Sequence, residues 1–240
     1  MTRVRHPQAN LAMRLCMAGI VTFDRMLWRA RWRHPERLPP PNAGPVIVAA
    51  NHLSYMDTVL MAKLIWDSGR APRFLVKAAL LRRPVVGSVL RATAQIPVYR
   101  GSAVAAEALL GAAAALDAGE TVVIYPEGTT TTDPAQWPLP GKTGIARLWL
   151  LRPDTPVIPV GQWGAQRQTG WARWRWIPRR RTTALVGEPV DLARFRGRPG
   201  EASLREITDT VMAAIRELVT EVRCEPDPLV LDWPDEADRA

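Results

Sequence analysis

A histidine and an aspartate that follow an apolar run are the residues of this chain best spaced for chemistry. His52 and Asp57 are five positions apart, directly after the strand-like run 46–50. With His52 in a turn and Asp57 in the first turn of a helix capped by Ser54, the carboxylate can hold one imidazole nitrogen and leave the other as a general base. This is a serine triad without its serine, so a substrate hydroxyl would be the nucleophile. Alternatively, Asn51 and Asp57 are only turn and cap residues.

A second polar segment follows another strand-like run. Residues 125–129 read Tyr-Pro-Glu-Gly-Thr and come directly after the apolar run 121–124. Because the carboxyl ends of parallel strands meet at one edge of a sheet, we expect this segment to line the same pocket as His52. There Glu127 and the exposed backbone at Gly128 can hold the hydroxyl groups of a polyol. Taken alone, the same residues are also compatible with an ordinary turn.

Two cations stand at the ends of further strand candidates. Arg100 follows an apolar segment, and the planar guanidinium of arginine is suited to bidentate binding of phosphate. Lys77 follows Phe74-Leu75-Val76, and a lysine is notable here because the chain has 29 Arg and only 3 Lys. Its ammonium could also meet a phosphate. The alternative for both residues is a solvated side chain at the end of a strand.

Strand-like and helix-like segments alternate along most of the chain. Strands are predicted at 46–50, 73–76, 94–99, 121–125, 156–160 and 182–187, and helices at 10–29, 55–68, 84–92, 102–118, 142–151 and 203–222. This alternation predicts an α/β fold with a largely parallel central sheet flanked by helices. We expect an N-terminal amphipathic, membrane-associating segment at 1–40, a main domain at 41–224 and an acidic tail at 225–240.

Taken in order, these segments resemble the sequence blocks of the glycerolipid acyltransferase family, whose members acylate lysophosphatidic acid and related lipids. The first block of that family, Asn-His-x4-Asp, is intact at Asn51, His52 and Asp57. The later blocks fall on residues that end at Arg100, on 125–130, on the lysine and glycine of 142–144, and on 157–160. The resemblance extends over roughly residues 45–165.

The resemblance implies a reaction and a role for each matching residue. His52, oriented by Asp57, would deprotonate a glycerol hydroxyl that attacks the thioester of acyl-coenzyme A or acyl carrier protein, with no cofactor and no metal. The residues implied to bind substrate are Asn51, Ser54, Lys77, Arg100, Glu127, Gly128, Thr129 and Lys142. Among them, Lys77 and Arg100 would hold the acceptor phosphate. Thr130 stands where the family usually has arginine, so another lysophospholipid or a glycolipid is an alternative acceptor.

Positive charge is concentrated in two segments that also contain large apolar side chains. The chain has a net charge of +9, with eight Arg against two acidic residues in 1–40 and six Arg without an acidic residue in 163–181. The helix at 10–29 has one apolar side, and 163–181 contains four Trp, a residue that prefers membrane interfaces. These features predict contact with an anionic bilayer surface and its lipids. RNA binding by the same residue types and a solvated basic loop are the alternatives.

Cysteine content and hydropathy bear on location. Cys16 and Cys224 are too few for a disulfide framework and fit a reducing cytosol. No apolar run approaches the roughly 18–20 residues that span a bilayer. We therefore expect a bacterial enzyme, peripheral or monotopic, on the cytoplasmic face of the cell membrane. A non-catalytic lipid- or nucleic-acid-binding protein on the same fold is the alternative, but such a protein would not need the His52–Asp57 pair.

Overall fold

A single seven-stranded sheet forms the centre of the protein. The computed structural model describes residues 6–7, 9–98, 105–165, 180–198 and 200–224. Within these residues, the strands lie in the order β1-β7-β6-β2-β5-β3-β4. The strands are β1 (Trp28–Arg33), β2 (Val46–Ala50), β3 (Pro72–Lys77), β4 (Ile96–Val98), β5 (Thr121–Ile124), β6 (Val157–Trp163) and β7 (Arg180–Val186). Neighbouring strands are parallel except for the antiparallel pair β6 and β7.

Helices cover both faces of this sheet. They are α1 (Leu11–Leu27), α2 (Asp57–Asp67), α3 (Ala78–Leu81), α4 (Pro84–Ala92), α5 (Ala105–Asp117), α6 (Gly144–Leu151) and α7 (Glu201–Cys224). Successive residues of a strand point to opposite faces, and in β2 Ile47 and Ala49 join the apolar cluster with α5, α6 and α7. Val46, Val48 and Ala50 join the cluster with α1 and α2. The structure therefore confirms the predicted α/β fold with a largely parallel, two-sided sheet.

The N-terminal region is integrated into this architecture. The helix predicted at 10–29 ends at Leu27, and the next six residues form β1, which pairs with β7 at the edge of the sheet. β1 was not predicted, and its first two residues fell within the predicted helix. Met13 and Met17, on the apolar side expected to meet lipid, are buried in the cluster with α2. Part of that apolar side therefore packs within the protein.

Most of the other elements differ from their predicted boundaries by one to three residues. β6 continues to Trp163, three residues beyond the predicted strand, and α3 is a short helix that the sequence pattern did not indicate. α7 is longer than predicted at both ends. Over the part of the chain that the structure describes, no helix combines the length and the apolar character needed to cross a membrane. The predicted tail 225–240 and most of the Trp-rich segment 163–181 lie outside the described residues.

Candidate active site

The pairing of β2 with β5 brings the two polar segments side by side. Ala49 pairs with Ile124 in this parallel register, and the same offset aligns His52 with Glu127. At that point the backbone N–H of His52 donates to Glu127 Oε1 at 2.7 Å. The carbonyl of His52 accepts the N–H of Thr131 at 2.7 Å. The turn that carries His52 is thus fixed by the chain that follows β5, as expected for the carboxyl ends of adjacent parallel strands.

The side chains of His52 and Asp57 lie in contact, as the sequence predicted. His52 Nδ1 lies 3.3 Å from Asp57 Oδ2, and Asp57 is the fully buried first residue of α2. Asp57 Oδ2 also accepts the N–H of Leu53 and, at 2.7 Å, that of Ser54. The imidazole contact is slightly longer than usual, and such bonds commonly tighten when substrate binds. When Nδ1–H donates to Asp57, Nε2 keeps the lone pair that a general base needs.

The ring of Tyr125 stacks on the imidazole of His52, a contact that the sequence analysis did not predict. The ring centroids lie 4.2 Å apart and the ring planes are 15° apart. Burial, and then the charge of Asp57, raises the pKa of Tyr125. The phenol therefore stays neutral, and its ring is placed where it can hold the orientation of the imidazole. An aromatic residue directly after β5, beside the strand that leads to His52, is the sequence signal for this stacking.

Glu127 differs from its expected role. Its side chain is fully buried, and Oε1 accepts the N–H of His52 while Oε2 accepts the N–H of Leu139 at 2.8 Å. Burial raises the pKa of Glu127, and the bonds from Leu139 and His52 lower it. Both oxygens are thus engaged with the backbone, and Glu127 does not line the cavity described below. It fastens two loops together and does not face a glycerol hydroxyl.

Asn51 and Ser54 were expected to bind substrate, but both side chains bond to other parts of the protein. The side chain of Asn51 is fully buried, donating to the carbonyl of Gln162 at 3.0 Å and accepting its N–H at 2.8 Å. Ser54 Oγ donates to Asp57 Oδ1 at 3.2 Å. Neither residue lines the cavity, so both are positioning residues for His52 and Asp57. Gln162 was missed because β6 was predicted to end before it.

A cavity of about 1250 Å³ lies beside His52. It exceeds the roughly 300–1,000 Å³ of ordinary small-molecule pockets. Most of its wall is apolar and comes from β3, α5, α6 and α7, with Phe74, Leu75, Val76, Leu109, Leu150 and Leu204 among the lining residues. A polar part of the wall includes Lys77, Thr129, Thr130 and Lys142. The cavity can therefore hold a molecule with a long apolar portion and an anionic or hydroxylated end.

The turn at Gly128 places Lys142 in this wall. Gly128 has a φ of +69°, and a Cβ at this position would lie 3.2 Å from Lys142 Nζ. The backbone N–H of Lys142 donates to the carbonyl of Pro126 at 2.8 Å, which ties the two segments together. Glycine therefore provides both the left-handed backbone and the space for the lysine. Gly128, Thr129, Lys142 and Lys77 line one cavity as expected, whereas Arg100 lies outside the described residues.

The charged lining of the cavity is mainly cationic. Arg147, which sequence reasoning missed, lines the cavity with the two lysines and pairs with Glu201 at 2.7 Å. Because Arg147 is partly neutralised by Glu201, the two lysines are the cations most suited to an anionic substrate group. Among the described residues, no group of three or more His, Cys, Asp or Glu side chains is placed to hold a metal ion.

Fold and site together define an α/β protein with a histidine–aspartate pair beside a largely apolar cavity. A family model described as Acyltransferase matches residues 29–163, and the chain belongs to this family. Its structure is similar to the crystal structure of the 1-acyl-sn-glycerophosphate (LPA) acyltransferase, PlsC, from Thermotoga maritima. The sequences are 25% identical, the match covers 89% of this chain and 82% of that chain, and the TM-score is 0.65. No curated protein sequence matches the chain significantly.

Proposed function

We propose that the protein is a 1-acyl-sn-glycerol-3-phosphate acyltransferase. It would transfer a fatty acyl group from a thioester to the free hydroxyl of lysophosphatidic acid, giving phosphatidic acid for phospholipid biosynthesis. The observation that carries this proposal is the His52–Asp57 pair beside a cavity of about 1250 Å³ with a largely apolar wall. Membership in the acyltransferase family supports the reaction class, and the Thermotoga relative is described as acting on this acceptor.

The proposed reaction needs one proton carrier. His52 Nε2 takes the proton of the acceptor hydroxyl while Asp57 stabilises the imidazolium that forms. The oxygen attacks the thioester carbonyl, the C–S bond breaks, and His52 returns the proton to the departing sulfur as a thiol. General base catalysis contributes about 10²–10⁴ in rate. The rest would come largely from holding the hydroxyl and the thioester together beside His52.

The cavity wall supplies the proposed substrate contacts. Lys77 and Lys142 provide positive charge for the acceptor phosphate, and Gly128 and Thr129 lie where the glycerol would sit. The apolar wall accommodates acyl chains. Arg100 is proposed as a further phosphate ligand on the family resemblance alone. The enzyme would work at an anionic bilayer surface on the cytoplasmic face of the membrane, because both its acceptor and its product are lipids.

One observation favours a second class of acceptor. Thr130 lines the cavity at the position where the family usually has arginine. A hydroxyl can hydrogen-bond a sugar or a headgroup but supplies no charge for a phosphate monoester. If the two lysines do not compensate for that loss, another lysophospholipid or a glycolipid becomes the better acceptor.

The proposal is tested by acyl transfer from labelled palmitoyl-coenzyme A and palmitoyl-acyl carrier protein. Lysophosphatidic acid, other lysophospholipids and glycolipids serve as parallel acceptors. We expect label in phosphatidic acid and a loss of at least about 10²-fold in His52→Ala. His34→Ala is the matched control, because His34 is an exposed histidine paired with Glu36.

The outcomes separate the alternatives. Label in a different lipid would retain the mechanism and change the acceptor. Wild-type turnover by His52→Ala would refute the role of His52 as the base. Absence of transfer to every acceptor from both donors would favour a non-catalytic lipid- or nucleic-acid-binding protein.

A further inference from the structure

The face of α4 that points away from the protein is apolar. Val85, Val86 and Val89 are 77%, 47% and 44% exposed. At about 100° per residue, these three positions fall within a sector of about 100° on the helix. A helix on a globular protein usually turns such a stripe towards the core. A contiguous apolar patch that faces outwards is typical of an interaction site.

The packing of α4 against α3 fixes this orientation. Gly87 is buried on the side opposite the valines, and a Cβ there would lie 2.1 Å from the carbonyl oxygen of Leu81. The guanidinium of Arg91 donates to the same carbonyl. Turning the valines inwards would break both contacts. The exposed stripe is therefore a consequence of how the helix is anchored.

Positive charge lies at the start of the stripe. Arg82 and Arg83 are exposed directly before α4, whereas the guanidinium of Arg91, in the last turn, is held on the opposite side by the carbonyl of Leu81. The sequence contains no Asp or Glu from Ser68 to Ala106. An apolar stripe bordered by arginines, with no acidic residue nearby in sequence, matches the chemistry of an anionic lipid surface.

The stripe also lies next to the wall of the cavity. Leu80 of α3 and Lys77 before it both line the cavity, and α3 leads directly into α4. At its other end α4 meets α1, where Asn10 Nδ2 donates to the carbonyl of Ala92 at 2.9 Å. Leu11 and Leu15 of α1 are themselves 71% and 66% exposed. A bilayer in contact with α4 would thus be close to one side of the cavity.

We infer that Val85, Val86 and Val89, with Arg82 and Arg83, form the surface that docks the protein onto an anionic bilayer. The valines enter the interfacial region and the arginines contact the headgroups. This placement lets a lipid acceptor reach the cavity along the Lys77–Leu80 side. The inference rests on the lipid acceptor of the proposed function, but docking itself requires no turnover.

The charge of this surface is tested by vesicle flotation of the full chain. Vesicles of phosphatidylcholine alone are compared with vesicles that also contain phosphatidylglycerol. The variant Arg82→Gln/Arg83→Gln should lose roughly thirtyfold in partitioning onto the anionic vesicles, since each basic residue at such a surface contributes about fivefold. The control Arg194→Gln/Arg198→Gln removes the same charge from another exposed segment and should stay within about threefold of wild type.

The apolar part is tested by Val85→Ser/Val86→Ser/Val89→Ser. Because these side chains are exposed, its thermal unfolding midpoint should equal that of wild type. Its binding to anionic vesicles should fall at least about tenfold and should not recover at low salt, where electrostatic attraction is strongest. Turnover with a short-chain acceptor dispersed in water should be unchanged, because none of the three valines lines the cavity.

Three results would overturn the inference. The first is wild-type vesicle binding by both variants, and the second is an equal loss of binding in the Arg194/Arg198 control. The third is a concentration-dependent dimer that the valine variant abolishes, because it would assign the stripe to a second copy of the chain. Vesicle binding through α4 without acyl transfer in any assay would refute the proposed function and leave the docking surface intact.

Discussion

The carboxyl ends of the parallel strands form one edge of the sheet, the carboxyl edge, and their amino ends form the other, the amino edge. Each of these edges contains a buried charged side chain that fastens loops together, and His52 lies at the carboxyl edge. At the carboxyl edge, Glu127 accepts the backbone N–H groups of His52 and Leu139. At the amino edge, the fully buried Arg70 donates to the carbonyls of Pro39, Pro40 and Gly44 and to Thr121 Oγ1. A carboxylate thus binds donors at one edge, and a guanidinium binds acceptors at the other.

The difference lies in what the fastened loop carries. The loop that Arg70 fastens leads directly into β2. Arg73, which follows Arg70 closely in the sequence, is held in a similar way by Glu120. The Glu127 contact instead holds the turn of His52, whose imidazole lines the cavity. Similar contacts should therefore contribute only stability at the amino edge, whereas at the carboxyl edge they also fix the position of the His52 imidazole. Substitutions at the two edges should separate these effects.

The largest expected effect is on catalysis at the carboxyl edge. Asp57→Asn should lower kcat by about 10²–10⁴, because a neutral amide cannot stabilise the imidazolium of His52. Its oxygen can still accept the N–H groups of Leu53 and Ser54, so the unfolding midpoint should change little. Asp67→Asn, at the other end of α2, is the matched control and should keep wild-type kcat. Steady-state kinetics measure both variants, and wild-type kcat in Asp57→Asn would disprove the orienting role.

The converse effect is expected at the amino edge. Arg70→Met removes the donor of several buried carbonyl groups, each costing about 1–3 kcal/mol when unsatisfied, so the free energy of unfolding should fall by at least about 3 kcal/mol. kcat per folded molecule should stay within about twofold, since Arg70 is at the edge opposite His52. Urea unfolding and active-site-normalised kinetics measure the two quantities.

Two further variants keep this prediction testable. Arg70→Lys retains the charge but not the guanidinium fork, so it should fold and lose part of the stability. Arg152→Met, which removes an arginine from a surface pair with Asp117, should be nearly neutral. If Arg70→Lys were fully folded and its kcat still fell strongly, the amino edge would affect catalysis as well as stability, which would contradict this prediction.

A smaller effect concerns the pH dependence of stability. Because burial raises the pKa of Glu127 above its ordinary value of 4.5, the folded protein holds this proton more tightly than the unfolded chain does. The resulting stabilisation is complete below the ordinary pKa and is lost as pH rises through the folded-state pKa. Glu127→Gln carries no such proton, so the unfolding free energy of wild type minus that of the variant should fall as pH rises.

Urea unfolding between about pH 4 and 7 measures that difference. Glu188→Gln, an exposed carboxylate paired with Arg37, should give a difference with much weaker pH dependence. A difference that increased with pH would mean that the two backbone bonds outweigh burial, and that the pKa of Glu127 lies below its ordinary value.

Local sequence patterns were sufficient to predict six of the seven strands that the structure describes, and the contact of His52 with Asp57. Apolar runs mark β2 and β5 because both faces of a central parallel strand are buried, and five positions of spacing set the His52–Asp57 contact. The roles of Asn51 and Glu127 could not be predicted in this way. Asn51 bonds to Gln162, which is 111 residues away, and Glu127 bonds to Leu139, which is 12 residues away. The sequence near Asn51 and Glu127 does not show that these backbone groups occupy the side-chain atoms that were expected to bind substrate.

Periodicity also could not show what covers an apolar face. The stripe of α1 was expected to meet lipid, yet Met13 and Met17 are buried against α2 and the sheet. The valines of α4 would pass for core residues on the same criterion, yet they are exposed because Gly87 fixes the opposite side of the helix to α3. A single close backbone contact decided the orientation, and hydrophobic spacing contains no information about it.

The smallest expected effect at the carboxyl edge tests the stacking of Tyr125 on His52. Tyr125→Phe keeps the aromatic face and should retain kcat within about threefold. Tyr125→Leu removes that face and should lower kcat by up to about tenfold, because an aromatic pair is worth about 0.5–1.5 kcal/mol. KM should be similar in both variants if the ring acts only on the imidazole. Equal kcat in the Phe and Leu variants would mean that Tyr125 is only a packing residue. A lower kcat in the Leu variant alone would mean that the imidazole of His52 is oriented by aromatic stacking as well as by hydrogen bonds.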